Sequence, residues 1–184
     1  MKIDMPIPFY HGSMKVAVTG TPGVGKTAAC LLVRSIRVES ANELAERYDA
    51  IVGRDEERDT SEVDTERLAS RLSEETGDLL VEGHFSHLLG VDLAIVLRCS
   101  PSVLRGRLQT RGWPEPKIVE NLEAEAVDVV LIEALENAPK VCEIDATDAS
   151  PGDVASSIEE ILAGESEKYP VGNVDWSQEV LGWF

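Results

Sequence analysis

Short apolar runs alternate along this chain with longer segments in which apolar residues recur every three or four positions. Short apolar runs are typical of strands buried in a parallel sheet, and the longer period is typical of amphipathic helices. The pattern predicts an acidic loop at 49–63, strands at 15–19, 78–81, 93–97 and 141–144, and helices at 26–34, 41–48, 64–75, 101–112, 114–136 and 150–163. This alternation favours a three-layer α/β domain with a parallel sheet.

The two ends of the chain depart from this pattern. Residues 1–13 contain two prolines and no clear period, so we interpret them as a leader or flexible extension outside the predicted domain, residues 14–163. Residues 164–184 hold four of the nine aromatic residues, namely Tyr169, Trp176, Trp183 and Phe184. We expect this tail to pack on its own domain, with contact to a partner as the alternative.

Length and composition narrow the class of protein. A chain of 184 residues can bury one substantial core, and its apolar runs are far shorter than the roughly 20 residues of a membrane-spanning helix. The formal charge of -17 argues against direct nucleic-acid binding, which depends on Lys and Arg. Three cysteines without CxxC spacing indicate neither a disulfide framework nor a zinc knuckle, so a reducing cytoplasm is expected.

The acidity is concentrated in two segments. Residues 39–66 carry 11 acidic and 3 basic residues, net -8, and residues 141–184 carry 10 and 1, net -9. Such charge can keep a protein soluble at high salt or belong to an ordinary acidic protein, and it can also attract a basic partner. These alternatives stay open from the sequence.

The segment Gly20-Thr21-Pro22-Gly23-Val24-Gly25-Lys26-Thr27 matches the phosphate-loop pattern GxxxxGK[ST], between a predicted strand and a predicted helix. In such loops backbone N–H groups surround phosphate oxygens, the lysine reaches the β- and γ-phosphates, and the hydroxyl binds Mg²⁺. The predicted nucleotide-binding residues are Gly20, Thr21, Gly23, Val24, Gly25, Lys26, Thr27, Ala28 and Arg111. The chain has no NKxD-type guanine-reading sequence and is short for a ring ATPase or a helicase, which leaves the small kinases.

A second acidic motif follows the predicted strand at 78–81. Glu82 lies at the carboxyl end of that strand, where ligands of α/β sheets bind, so Glu82 with Thr27 is the predicted Mg²⁺ site. His84 is expected to order water or phosphate near the γ position, and His87 to be a capping or packing residue. A zinc triad of Glu82, His84 and His87 is a weaker alternative, because no fourth ligand is evident.

Three arginines lie on the predicted helix 101–112. Arg107 and Arg111 are four residues apart and share a face, and the Gly-Trp-Pro that follows could hinge a moving segment. We expect Arg111 to act from a lid at 110–120 on the transferred phosphoryl group. For Arg105 we expect a surface ion pair with a downstream acid such as Glu115.

Taken together, these motifs resemble those of the small archaeal-type adenylate kinases, a family that includes the eukaryotic coilin-interacting nuclear ATPase. The resemblance rests on GTPGVGKT at 20–27, GRDEERD at 53–59, VDTERL at 63–68, VEGH at 81–84 and RLQTRGWPEPKIVENLEAE at 107–125. It implies a P-loop kinase fold with about five parallel strands, a nucleoside-monophosphate arm at 39–62 and a short lid.

The resemblance also implies an activity: reversible phosphoryl transfer from ATP to AMP with Mg²⁺, and a weaker ATPase activity. Lys26, His84 and Arg111 would be catalytic, and the arginine of the monophosphate arm would be Arg47 or Arg54. Several family members bind a small-subunit ribosomal protein. The alternative function is therefore an assembly factor for the small ribosomal subunit that uses ATP hydrolysis as a conformational switch.

Overall fold

A five-stranded parallel sheet forms the centre of the protein, in a computed structural model that describes residues 13–55 and 60–183. The strand order is β2-β5-β1-β6-β7, with β1 Lys15–Thr19, β2 Arg37–Ser40, β5 Leu79–Glu82, β6 Leu93–Arg98 and β7 Val141–Asp145. All four pairings are parallel. The predicted fold class is confirmed.

Eight α-helices occur in the part of the chain that the structure describes. They are α1 Lys26–Cys30, α2 Ala41–Arg47, α3 Thr65–Glu74, α4 Pro101–Thr110, α5 Glu115–Ala126, α6 Val129–Asn137, α7 Pro151–Leu162 and α8 Ser177–Val180. The Ser150 hydroxyl accepts a hydrogen bond from the N–H of Asp153, whose carboxylate accepts from the N–H of Ser150, so this capping box fixes the start of α7. Within the described ranges, no helix is long and apolar enough to cross a membrane.

The alternation of side chains along the central strands builds a core on each face of the sheet. Val16, Val18 and Ile95 lie in the cluster that also contains residues of α1, α4, α5 and α7. Ala17 and Val96 point the other way, into a cluster with residues of α2, α3 and α6. Helices therefore pack on both faces of the sheet, and in such folds ligands bind at the carboxyl ends of the strands.

Strands β2, β3 (Ile51–Asp55) and β4 (Thr60–Val63) and the short helix α8 were absent from the prediction. Strand β2 has the sequence RVES and lies at the exposed edge of the sheet, so it has no apolar run to reveal it. The predicted acidic loop is wrong, because β3 and β4 form an antiparallel hairpin. The segment predicted as the monophosphate arm, 39–62, thus contains α2 and most of this hairpin, and residues 56–59 lie outside the described residues.

Two predicted helices also need correction. The first ends at Cys30 rather than Arg34. The helix predicted at 114–136 is broken between α5 and α6, where Asp128 takes a left-handed conformation with φ 60°. Its apolar period continues across the break, so periodicity alone could not show it.

The tail packs on the domain where it is described. Tyr169 contacts the core cluster, its hydroxyl donates to Glu160 over 3.0 Å, and its carbonyl accepts from the N–H of Glu143 over 3.1 Å. Trp183 stays 43% exposed. The predicted leader lies outside the described residues except for Ser13, and so does Phe184.

Candidate functional site

The phosphate loop, residues 20–27, connects β1 to α1 and packs closely against its neighbours. A Cβ on Gly20 would lie 2.4 Å from the carbonyl oxygen of Leu97, and one on Gly23 would lie 2.8 Å from a methyl group of Leu108. Both glycines also have a positive φ, of 137° and 98°. Side chains are therefore excluded here, and the loop backbone is held against β6 and α4.

Lys26 is the buried cation of this loop. Its Nζ donates hydrogen bonds to the carbonyls of Gly20, over 2.6 Å, and Thr21, over 3.1 Å, and the residue is 8% exposed. The pKa of Lys26 is lowered to about 8, chiefly because the ammonium is buried; Glu82 opposes this shift and Arg111 adds to it. The ammonium is thus held by loop carbonyls that a phosphate can replace.

Thr27 and Glu82 meet at the carboxyl end of the sheet. The Thr27 hydroxyl, on α1, donates to Oε2 of Glu82, at the end of β5, over 3.1 Å. Thr27 and Ala28 are exposed, so this corner of the phosphate loop is open to a ligand. The structure therefore brings together the two residues predicted to hold Mg²⁺.

The chemistry of these donors fits magnesium. One hydroxyl and one carboxylate are hard oxygen ligands, and Mg²⁺ usually takes one or two protein ligands together with water and substrate phosphates. No group of three or more His, Cys, Asp or Glu able to hold a metal occurs among residues 13–55 and 60–183. The site thus matches a cation that is bound jointly with a nucleotide.

The two histidines after Glu82 face different surroundings. His84 is exposed, and its ring packs edge-on against Phe85 at 5.1 Å between centroids. Loss of water around part of the ring and the Lys26 ammonium lower the pKa of His84.

His87 is fully buried. Its Nδ1 lies 2.8 Å from the Thr19 hydroxyl and its Nε2 lies 3.2 Å from Oε2 of Glu133 on α6. Both ring nitrogens have protein partners, so the zinc triad is not supported and His87 is a packing residue.

An open cavity of about 430 Å³ lies beside the phosphate loop. Its walls are Gly23, Val24 and Gly25, Arg107, Thr110 and Arg111, and Ala146, Ala149, Pro151 and Val154. Apolar side chains thus face the phosphate-binding backbone across a space large enough for a small ligand.

The three arginines predicted on the helix 101–112 have different surroundings. Arg107 donates to the carbonyls of Val24, Ala146 and Thr147 over 2.8–3.2 Å, so it ties the phosphate loop to the segment after β7. Arg111, at the end of α4, is exposed at the cavity rim. Arg105 forms an ion pair with Glu115, as expected.

The segment predicted as the arm starts beside the end of β5. A Cβ on Gly83 would lie 2.6 Å from the Cβ of Ala41, so the start of α2 packs directly on the strand end. The Arg47 guanidinium, on α2, lies 2.6 Å from Glu39, and Arg54 lies on β3 of the hairpin. Both arginines predicted for the arm thus lie on α2 and β3, the two elements that follow the contact between Ala41 and Gly83 along the chain.

A buried ionic network behind the phosphate loop was not predicted. Arg98 donates from Nε to Glu125 over 2.7 Å and from Nη1 to Glu143 over 2.6 Å, and it also pairs with Asp128. Burial alone would lower the pKa of Arg98, but Glu125 and Asp128 raise it. Glu125 also accepts the Thr21 hydroxyl over 2.6 Å, so the network reaches the loop.

Sequence signals for this network exist in retrospect. Arg98 ends an apolar strand, and Glu125 follows Ile118 and Leu122 on the buried face of α5, at the spacing of a core position. A charged residue at a core position needs a buried partner, and each of these two is the other's partner.

The loop, the cation and the carboxylate at the strand ends define the class of this protein as a P-loop kinase. A family described as "AAA domain" matches residues 16–128. A "Putative adenylate kinase" of Archaeoglobus fulgidus is 47% identical over 91% of this chain and 94% of its own length. One of Methanothermobacter thermautotrophicus is 47% identical over 91% of this chain and 99% of its own length. The chain belongs to this family of archaeal adenylate kinase homologues.

The fold agrees with solved kinase structures. Shikimate kinase from Acinetobacter baumannii, in complex with shikimate, aligns with a TM-score of 0.56 at 13% identity, over 83% of this chain and 94% of that one. At this identity the likeness concerns the fold alone.

Proposed function

We propose that the protein is a Mg²⁺-dependent phosphotransferase that converts ATP and AMP into two ADP. The observation that carries this proposal is the convergence of Lys26, Thr27 and Glu82 at the carboxyl ends of β1 and β5. Relatives described as "Putative adenylate kinase" that match the chain over nearly their full length support AMP as the acceptor.

The phosphate loop would bind the ATP phosphates. Backbone N–H groups of residues 20–28 would face the phosphate oxygens, and the Lys26 ammonium would exchange the carbonyls of Gly20 and Thr21 for the β- and γ-phosphates. Thr27 and Glu82 would hold Mg²⁺, which when bound neutralises charge on the transferring phosphoryl group.

Arg111 would act on the transition state. It is exposed at the rim of the cavity and lies close enough to Lys26 to affect its pKa. A small rotation of the predicted lid, 110–120, would bring its guanidinium over the γ-phosphoryl group, where the charge on the equatorial oxygens develops. The rest of the cavity would take the nucleoside of ATP.

The arm would bring the acceptor. The start of α2 packs on Gly83, so AMP bound between the arm and the sheet would approach the γ-phosphate beside Glu82 and His84. Its phosphate would be held by Arg47 or Arg54. His84 would order the attacking phosphate or, without AMP, a water molecule, which gives the weaker ATPase activity.

The charge distribution favours a second candidate function. Segments 39–66 and 141–184 carry net charges of -8 and -9, and a basic ribosomal protein would bind such a surface. Nucleotide turnover would then drive assembly of the small ribosomal subunit in the cytoplasm.

A coupled assay of ADP formation from ATP, with and without AMP, tests the first proposal. AMP should increase the rate strongly, with two ADP formed per AMP consumed. Lys26→Ala should lower this rate by about 100-fold or more, because the transferring phosphates lose their buried cation. Circular dichroism controls for the fold. ADP formation that AMP does not increase would favour the second candidate, and full activity of Lys26→Ala would contradict the phosphate-loop assignment.

A further inference from the structure

Residues 172–179 of the tail cover the buried ionic network. The N–H of Gly172 donates to Oε2 of Glu143 over 2.7 Å. Glu179 accepts from the Ser100 hydroxyl over 2.9 Å and from the N–H of Ser102 over 2.5 Å, which anchors the tail at the start of α4. Hydrogen bonds to carboxylates therefore dock this segment on the domain. Glu143 is a carboxylate of the domain core, and Glu179 is a carboxylate of the tail that contacts the start of α4.

One of these docking bonds leads to the phosphate loop. The indole N–H of Trp176 donates to Oε1 of Glu125 over 3.2 Å, and the Thr21 hydroxyl donates to Oε2 of the same carboxylate over 2.6 Å. Glu125 is 2% exposed, so both bonds form in a medium that strengthens charge-assisted hydrogen bonds. The tail and the loop thus share one buried carboxylate.

Thr21 links Glu125 to Lys26. Its side chain is held by Glu125, and its carbonyl, together with that of Gly20, accepts from the Lys26 ammonium. When phosphate draws Lys26 away, the bond between the Thr21 hydroxyl and Glu125 still holds the Thr21 side chain. The shape of the loop then depends on that carboxylate staying in place.

We propose that Glu125 and Trp176 are positioning residues of the nucleotide site, and that nucleotide binding and tail docking stabilise one another. Glu125 fixes Thr21 so that the loop is preorganised for phosphate, and Trp176 fixes Glu125. Because coupling between two binding events is reciprocal, bound nucleotide also tightens the contact of Trp176. The inference rests on the proposed binding of ATP and ADP by the phosphate loop.

The first test uses paired substitutions in the full chain. Thr21→Val keeps the shape and removes the hydroxyl, and we expect the Kd for ATP to rise about tenfold, while Thr21→Ser keeps the hydroxyl and should stay within about twofold of wild type. Trp176→Phe removes the indole N–H, together with the five-membered ring that carries it, but keeps an aromatic ring, and it should raise the Kd about threefold. Trp183→Phe, at an exposed position of the same tail, is the matched control and should change nothing.

Calorimetry at 25 °C measures these constants, and thermal melts measure stability on the same preparations. A structural role alone would lower the melting temperature and leave the Kd unchanged. Unchanged affinity in both Thr21→Val and Trp176→Phe would therefore overturn the proposal, as would equal losses in Thr21→Val and Thr21→Ser.

The second test follows the reciprocal effect. In the double variant Trp113→Phe/Trp183→Phe, Trp176 is the single tryptophan, and saturating ADP should shift its emission or protect it from a soluble quencher. Adding Thr21→Val should abolish this response even at ADP concentrations that saturate the site. Emission that stays constant while calorimetry shows binding overturns the proposal alone, whereas a wild-type protein that binds neither ATP nor ADP overturns the proposed function as well.

Discussion

At the scale of single residues, Lys26 is held in a state that favours exchange. Its ammonium is buried and bonded to two carbonyls, which carry partial rather than full negative charge. Its pKa is lowered to about 8, chiefly by burial, so the proton of the ligand-free residue is held less tightly than that of an exposed lysine. A polyphosphate offers the same cation full negative charge, which provides a driving force for binding.

This environment predicts a pH dependence. As pH rises through 8, ligand-free Lys26 loses its proton. ATP binds the charged ammonium, so Lys26 must take a proton from solvent when ATP binds. ATP affinity should therefore fall between pH 7 and pH 9.5, and binding near pH 8 should take up protons. Calorimetry in two buffers of different ionisation enthalpy measures this uptake. Lys26→Arg keeps its charge at these pH values and should flatten the dependence. Zero uptake by the wild type at pH 8 would contradict the prediction.

Single residues also show what the sequence reveals and what it hides. Thr27 and Glu82 were predictable as neighbours, because both follow strands whose carboxyl ends meet at one edge of a parallel sheet. Arg98 and Glu125 lie 27 positions apart, and although each occupies a core position that calls for a buried partner, nothing in the sequence indicates that they partner each other. Only the folded structure pairs them.

At the scale of elements, the connection between α4 and α5 is the part of the site most suited to movement. Residues 111–114 link two helices, and Gly112 has a φ of 72°. On either side, Arg107 is fixed by three carbonyls and Ile118 is buried in the core. Between these two fixed points lie the few residues around Arg111 in which we expect the lid to move.

Arg111→Ala should lower kcat for AMP phosphorylation by about 100-fold and raise the ATP KM less than threefold. The reason is that a guanidinium that closes over the phosphates contributes mainly in the transition state. Steady-state kinetics with both substrates varied provide the measurement. Arg105→Ala, one turn and a half earlier and paired with Glu115, is the matched control and should keep wild-type kinetics. A raised KM with normal kcat would make Arg111 a ground-state binding residue instead.

Buried strands that form short apolar runs were predicted well, and exposed strands were not. The buried strands β1, β5, β6 and β7 are apolar runs, and their positions agree with the prediction. The β3–β4 hairpin is acidic and exposed, so hydrogen bonding between its own strands, rather than a buried face, holds its shape. Such an element leaves little trace in a hydrophobic pattern.

At the scale of the whole molecule, the net negative charge is concentrated in the two segments 39–66 and 141–184. Outside the two acidic segments the chain is neutral, and the phosphate loop and α4 lie in that neutral part. Repulsion within the acidic segments destabilises the folded state at low salt, and it is reduced when ions shorten the screening length.

The melting temperature should therefore rise as KCl increases from about 0.05 M to about 1 M, over which the Debye length falls several-fold. Thermal melts across this series give the measurement. Glu46→Lys, at an exposed position of α2, removes repulsion locally and should reduce the slope. A melting temperature that stays flat with added salt would assign the acidity to partner binding rather than to salt adaptation.

The bond between Gly172 and Glu143, together with that between Trp176 and Glu125, has a consequence for biosynthesis. Residues 172–176 are translated long after the phosphate loop and after both carboxylates. A nascent chain that has released the sheet and α5 from the ribosome still has two core carboxylates without these donors. Domains fold as units during synthesis, and here the unit extends beyond residue 163 into the tail. On the coupling proposed above, the phosphate loop therefore reaches its full preorganisation only after translation has passed the tail.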